Sequence, residues 1–97
     1  MKKDLLNTVI INGKEIKFEA PIASMVTFAN CICVQLENME DNLVCASHNG
    51  EILWRGSKFY TKNTTAKIIS QVAPELLKVV WNNNDVKVIN VIENRLV

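Results

Sequence analysis

Val9-Ile10-Ile11-Asn12-Gly13-Lys14-Glu15-Ile16-Lys17-Phe18 places an Asn-Gly pair between two apolar, β-prone runs. Asn-Gly between two β-prone runs predicts a type I′ turn, because both central residues of that turn need positive φ. A two-residue loop pairs Ile11 with Lys14 and Val9 with Ile16. Val9, Ile11, Ile16 and Phe18 then share an apolar core face, and Ile10, Glu15 and Lys17 share the other.

The same grammar extends outward. Pro21 ends the second strand, and residues 21–25 read as a short turn or a single helical turn. Residues 28–36 form a β run with Ile32, Val34 and Leu36 on one side and Cys31, Cys33 and Gln35 on the other. Apolar character on both sides predicts a central strand covered on two faces. The polar stretch from Glu37 to Asn42 is a loop. A second hairpin turns at Asn49-Gly50; a two-residue loop there pairs Ser47 with Ile52 and Cys45 with Trp54. Leu43, Cys45, Ile52 and Trp54 share one face, against Val44, Ala46, Leu53 and Arg55.

Residues 57–65 read as a long polar and aromatic connection. Residues 66–72 predict a short helix capped by Thr64 or Thr65 and stopped by Pro74. A last hairpin centred on Asn83-Asn84 pairs Trp81 with Val86 and Val79 with Val88, and residues 91–97 add a final short strand. The expected fold is mostly β: antiparallel hairpins in one sheet or a small sandwich, with one short helix, in a single domain over residues 1–97.

Composition narrows the function. The 97 residues are 48% hydrophobic and 22% charged, which describes a globular chain and not a disordered one. Eleven Lys and Arg against ten Asp and Glu leave a net charge of +1, so no basic excess points to a nucleic-acid polymer. No apolar run reaches the ~20 residues of a membrane span, and the first residues do not read as a signal peptide. Cys31, Cys33 and Cys45 read as small buried hydrophobes in a reducing cytoplasm. They lack a fourth ligand and the usual zinc spacing, so neither metal nor cofactor is expected.

Catalytic chemistry is sparse. One histidine, His48, sits beside a predicted turn, no carboxylate pair stands out by spacing, and Gly13, Gly50 and Gly56 read as turn glycines without a phosphate loop. The expectation is a non-enzyme. Binding groups are denser: Trp54, Arg55, Lys58, Phe59, Tyr60 and Lys62 cluster in sequence, with Arg95 near the end. Aromatics beside cations stack a base and neutralise a phosphate. Trp54 and Trp81 fall on core faces, which leaves Arg55, Lys58, Phe59, Tyr60, Lys62 and Arg95 as the ligand-binding set. The run Asn82-Asn83-Asn84 is ascribed to turn geometry and carries no functional weight.

The stretches Ile16-Lys17-Phe18-Glu19-Ala20-Pro21-Ile22, Asn42-Leu43-Val44-Cys45-Ala46 and Asn49-Gly50-Glu51-Ile52-Leu53-Trp54, with the strand from Cys31 to Leu36 between them, resemble a group of small β-rich bacterial and phage proteins. One branch is similar to the type 1 anti-Thoeris proteins of phages. That resemblance implies a non-catalytic, cytoplasmic anti-defence protein that sequesters a cyclic nucleotide signal, a cyclic ADP-ribose isomer or a cyclic oligonucleotide, in pockets of a homo-oligomer. The alternative is an immunity-type module that neutralises a toxin or other protein partner through an edge strand or the acidic loop near Glu37, Glu40 and Asp41. Apolar residues on both faces of several strands also predict a homo-oligomer.

Overall fold

In the computed structural model, which describes residues 7–60 and 65–97, the Asn12-Gly13 hairpin joins β1 (Thr8–Ile11) to β2 (Lys14–Lys17). Ile11 lies opposite Lys14 and Val9 opposite Ile16, with φ of +52° at Asn12 and +78° at Gly13. Both values lie where the type I′ turn needs them. Ile16 and Phe18 are buried, and Val9 and Ile11 pack beside them, so the predicted face is the core face.

A four-stranded sheet follows, with strands β3 (Ile22–Thr27), β4 (Cys31–Leu36), β5 (Leu43–Ser47) and β6 (Ile52–Arg55) side by side in that order. A second four-stranded sheet contains β7 (Ala66–Ala73), β8 (Leu76–Trp81), β9 (Val86–Asn90) and β10 (Arg95–Leu96), in the order β10-β9-β8-β7. Neighbouring strands are antiparallel throughout. The architecture is therefore mostly β and antiparallel, stacked in three layers.

Stacking explains the burial of β4 and β5 on both faces. Ile32, Val34, Leu36, Val44 and Ala46 pack under Ile16 and Phe18 of the first hairpin. Cys31, Cys33, Leu43, Cys45 and Trp54 face Ile69, Leu77, Val79, Trp81 and Ile89 of the second sheet. The alternation read from sequence in these two strands holds residue by residue.

Two local expectations are corrected. Residues 66–72 are not helical; they lie in β7, whose pairing with β8 shifts register between Ala66 and Ile68 and again between Gln71 and Ala73. Residues 22–25 are not a helical turn but the start of β3, directly after Pro21. A 3-10 turn lies instead over Gly56–Lys58.

The last hairpin also has a different register. Val80, not Trp81, pairs with Val86, and Lys78, not Val79, pairs with Val88. Trp81 N–H donates to Asp85 O at 2.8 Å and Asn84 N–H to Trp81 O at 2.8 Å, with Asn84 at φ +72°. These contacts close a three-residue loop with its last residue left-handed. Such a one-residue slip moves Val86 and Val88 to the face opposite Trp81 and Val79. The second hairpin uses the same loop, His48-Asn49-Gly50, with Gly50 at φ +92°. Ile52 therefore pairs with Ala46 and not with Ser47; a bulge at Leu53 then restores the expected Cys45–Trp54 pair.

The two sheets are clamped by one buried polar residue. Asn42 Nδ2 donates to Leu36 O and Ala66 O, each at 3.1 Å, and Ala66 N–H donates to Asn42 Oδ1 at 2.7 Å. Gln35 Nε2 adds bonds to Ala66 O at 2.8 Å and Lys67 O at 3.0 Å. None of the helices described is long and apolar enough to cross a membrane.

Candidate functional site

The aromatic and cationic residues after β6 are organised by the 3-10 turn. Gly56 sits in a tight place: a Cβ would lie 3.0 Å from Trp81 Cη2 and 3.1 Å from Leu43 Cβ. Phe59 N–H and Tyr60 N–H both donate to Gly56 O, which folds the two rings back against the tryptophans. Phe59 meets Trp54 edge-on at 4.9 Å between centroids, and Tyr60 stacks on Trp81 at 5.1 Å. Such pairs add stability beyond their buried area.

Five of the six residues of the expected binding set lie among the described residues. Phe59 and Tyr60 are half-buried against the core and do not stand free as stacking platforms. Tyr60 Oη hydrogen-bonds to the Asp85 carboxylate and accepts from Asn83 Nδ2 at 2.7 Å. The Asp85 contact pushes the phenol pKa above its ordinary value. Arg55 is held by Glu19, with Nη2 at 2.9 and 3.1 Å from the two carboxylate oxygens. Lys58 Nζ lies 5.5 Å from the Phe59 ring centroid and is the cation that accompanies the aromatic pair. Lys62 lies outside the described residues.

Arg95 is brought to a different surface. It pairs with Asn90 in the β9–β10 ladder, and its Nε donates to Glu93 Oε1 at 2.6 Å. Both partners are exposed, and such pairs are weak and exchangeable. Asn90, Glu93, Arg95, Leu96 and Val97 line a recess of about 230 Å³. That is smaller than the ~300–1,000 Å³ typical of small-molecule sites. The turn bearing it is tied to the core by Trp54 Nε1, which donates to Asn94 Oδ1 at 2.9 Å.

Ladder register puts Arg95 on the outer face of the second sheet. Leu77, Val79 and Ile89 point inward and are fully buried. Their neighbours Leu76, Lys78, Val80, Val86, Val88 and Asn90 therefore point outward. Ile68, Val80 and Val86 lie side by side across three strands, and Ile68 and Val86 are half exposed. This apolar row was not legible in the sequence, because the expected register turned Val86 and Val88 inward.

The acidic loop is partly committed to the fold. Asp41 accepts from Ser57 N–H at 2.8 Å and Ser57 Oγ at 2.9 Å, while Glu37 and Glu40 remain exposed. His48 is half-buried in the second hairpin loop, with Nε2 at 3.0 Å from Phe28 O.

The sequence also understated one cluster. Cys31, Cys33 and Cys45 are free thiols with no solvent exposure, and their sulfurs lie within 4.8 Å of one another. Hydrogen bonds to Cys31, with burial added, push Cys33 and Cys45 up. S–H donation from Cys33 and Cys45 pulls Cys31 down, to about 4. One of the three is thus set apart as the acidic member.

Comparison with protein-family models, with curated proteins and with solved structures finds no match to this chain.

Proposed function

We propose that the chain is a non-catalytic, homo-oligomeric binding domain that sequesters a small anionic ligand of the cyclic-nucleotide class. The observation that carries this reading is the outer face of the second sheet. Its apolar row, Ile68–Val80–Val86, lies on the same face as Lys78, Asn90 and Arg95, and Arg95 lines the recess. A second copy laid on this face buries the apolar row in an isologous contact. It also enlarges a recess too small for a nucleotide into a site shared between subunits. Arg95 then exchanges Glu93 for a phosphate, a stronger charge-assisted partner. Sequestration as an anti-defence function in a host cytoplasm follows from the resemblance given above.

A second reading, a protein-binding module of the immunity type, is favoured by the other sheet. Its edge strand β6 is short and presents Ile52 and Leu53, 48% and 40% exposed. Open edges of this kind accept an added strand.

A thermal-shift panel of cyclic ADP-ribose isomers and cyclic oligonucleotides tests the first reading. A ligand at a hundredfold excess over its Kd should stabilise the fold by about 2.7 kcal/mol. Arg95→Ala should weaken that ligand, and the bound ligand should be recovered intact. No shift with any member of the panel, or a shift that Arg95→Ala leaves unaltered, overturns the assignment.

A further inference from the structure

The three cysteines form a converged trithiol in the core between the sheets. Their arrangement follows from the ladder. Leu36 N–H donates to Asn42 O at 2.8 Å, which marks a narrow hydrogen-bonded pair. Alternation along the strands then makes Cys33–Cys45 a non-hydrogen-bonded pair, the type that brings side chains closest. Cys31 is two residues along the same face, so all three sulfurs meet.

We propose that Cys31, Cys33 and Cys45 form a three-coordinate site for a soft monovalent d10 ion of the Cu(I) class. Metal–sulfur bonds of about 2.3 Å in a trigonal set need sulfurs about 4 Å apart. The thiols already lie within 4.8 Å of one another, so small rotamer shifts complete the set.

Coordination number selects the ion. A structural zinc site needs a fourth ligand. Among the described residues the metal-capable group contains the three sulfurs alone, and the His48 ring is engaged with Phe28 O. The thiolate is the ligand form of cysteine, so loading releases the S–H protons of the binding cysteines to solvent and transfers no electron. Soft sulfur donors favour Cu(I) over harder ions.

The test uses the reduced full-length chain without oxygen, given Cu(I) as its acetonitrile complex in the presence of a Cu(I) chelator. A second sample is refolded from urea with the same ion, so that slow access to a buried site does not limit loading. The expected result is one copper per chain after desalting, with a thiolate-to-copper ultraviolet band and protection of all three thiols from a thiol reagent. Cys33→Ala and Cys45→Ala should each lose retained copper. Substoichiometric copper in both wild-type samples overturns the site, whatever the variants do. Equal retention by a chain lacking all three cysteines overturns it too, and zinc held in preference to copper overturns the choice of ion.

Discussion

Asn42→Ala should cost about 3 kcal/mol, an unusually large loss for one polar side chain. Asn42 is 5% exposed and satisfies three backbone groups on two different sheets. Truncation strands the buried Ala66 N–H, at about 1–3 kcal/mol, and removes two donated bonds worth about 0.5–1.5 kcal/mol each. Ala66 O keeps its bond from Gln35, so the loss falls below the sum of the parts. Urea unfolding followed by the fluorescence of Trp54 and Trp81 reads the change. With a slope of about 2 kcal/mol/M, the midpoint should fall by about 1.5 M. Asn42→Asp supplies an internal control. The introduced carboxylate faces Leu36 O and Ala66 O, which raises its folded pKa above the unfolded value of about 3.9. The folded state then binds the proton more tightly, so this variant should lose stability as pH rises above about 4 and level off beyond the folded pKa. A loss below about 0.5 kcal/mol for Asn42→Ala, or a flat pH response for Asn42→Asp, would refute the clamp.

Other outcomes follow from single contacts. Gly13→Val and Gly50→Val should each destabilise by more than about 1 kcal/mol in urea unfolding, because φ is +78° and +92° at these positions. Nothing lies near enough to clash at either, so a null result in both would mean the turns are not left-handed. Gly56→Ala should cost about 1–3 kcal/mol by overpacking against Trp81 and Leu43, and a melting temperature unchanged from wild type would contradict that contact. Trp54→Phe and Asn94→Ala should be coupled by about 0.5–1.5 kcal/mol in a double-mutant cycle, through the 2.9 Å bond that holds the β9–β10 turn. Additive losses would remove that tie.

The parts of this fold that were legible in sequence are those where one residue type had one workable place. Asn12-Gly13 admits a two-residue type I′ turn, and its register followed. The double-faced apolar pattern of β4 implied a central strand, and the third layer supplies its second cover. Residues 66–72 misled because bulges break the strand period. Ala66 and Ile69 both point inward three residues apart, which imitates a helical spacing. The Asn82-Asn83-Asn84 tract left the closing register open, since any of the three tolerates a left-handed φ and only packing selects Asn84. Sequence proximity gathered Arg55, Lys58, Phe59 and Tyr60, but the turn at Gly56 spends both rings on the tryptophans and Glu19 engages the arginine. The cysteine convergence had a signal, the shared face of Cys31 and Cys33; its completion by Cys45 needed the cross-strand register.

Light scattering on the wild-type chain and on Val86→Lys tests the shared-site account most directly. Val86 is half exposed in the outer apolar row, so a lysine there is tolerated by the fold and opposed by a partner subunit. The wild-type chain should be an oligomer across the micromolar range and Val86→Lys a folded monomer. A wild-type monomer throughout that range, or an oligomer indifferent to the substitution, would contradict the shared site.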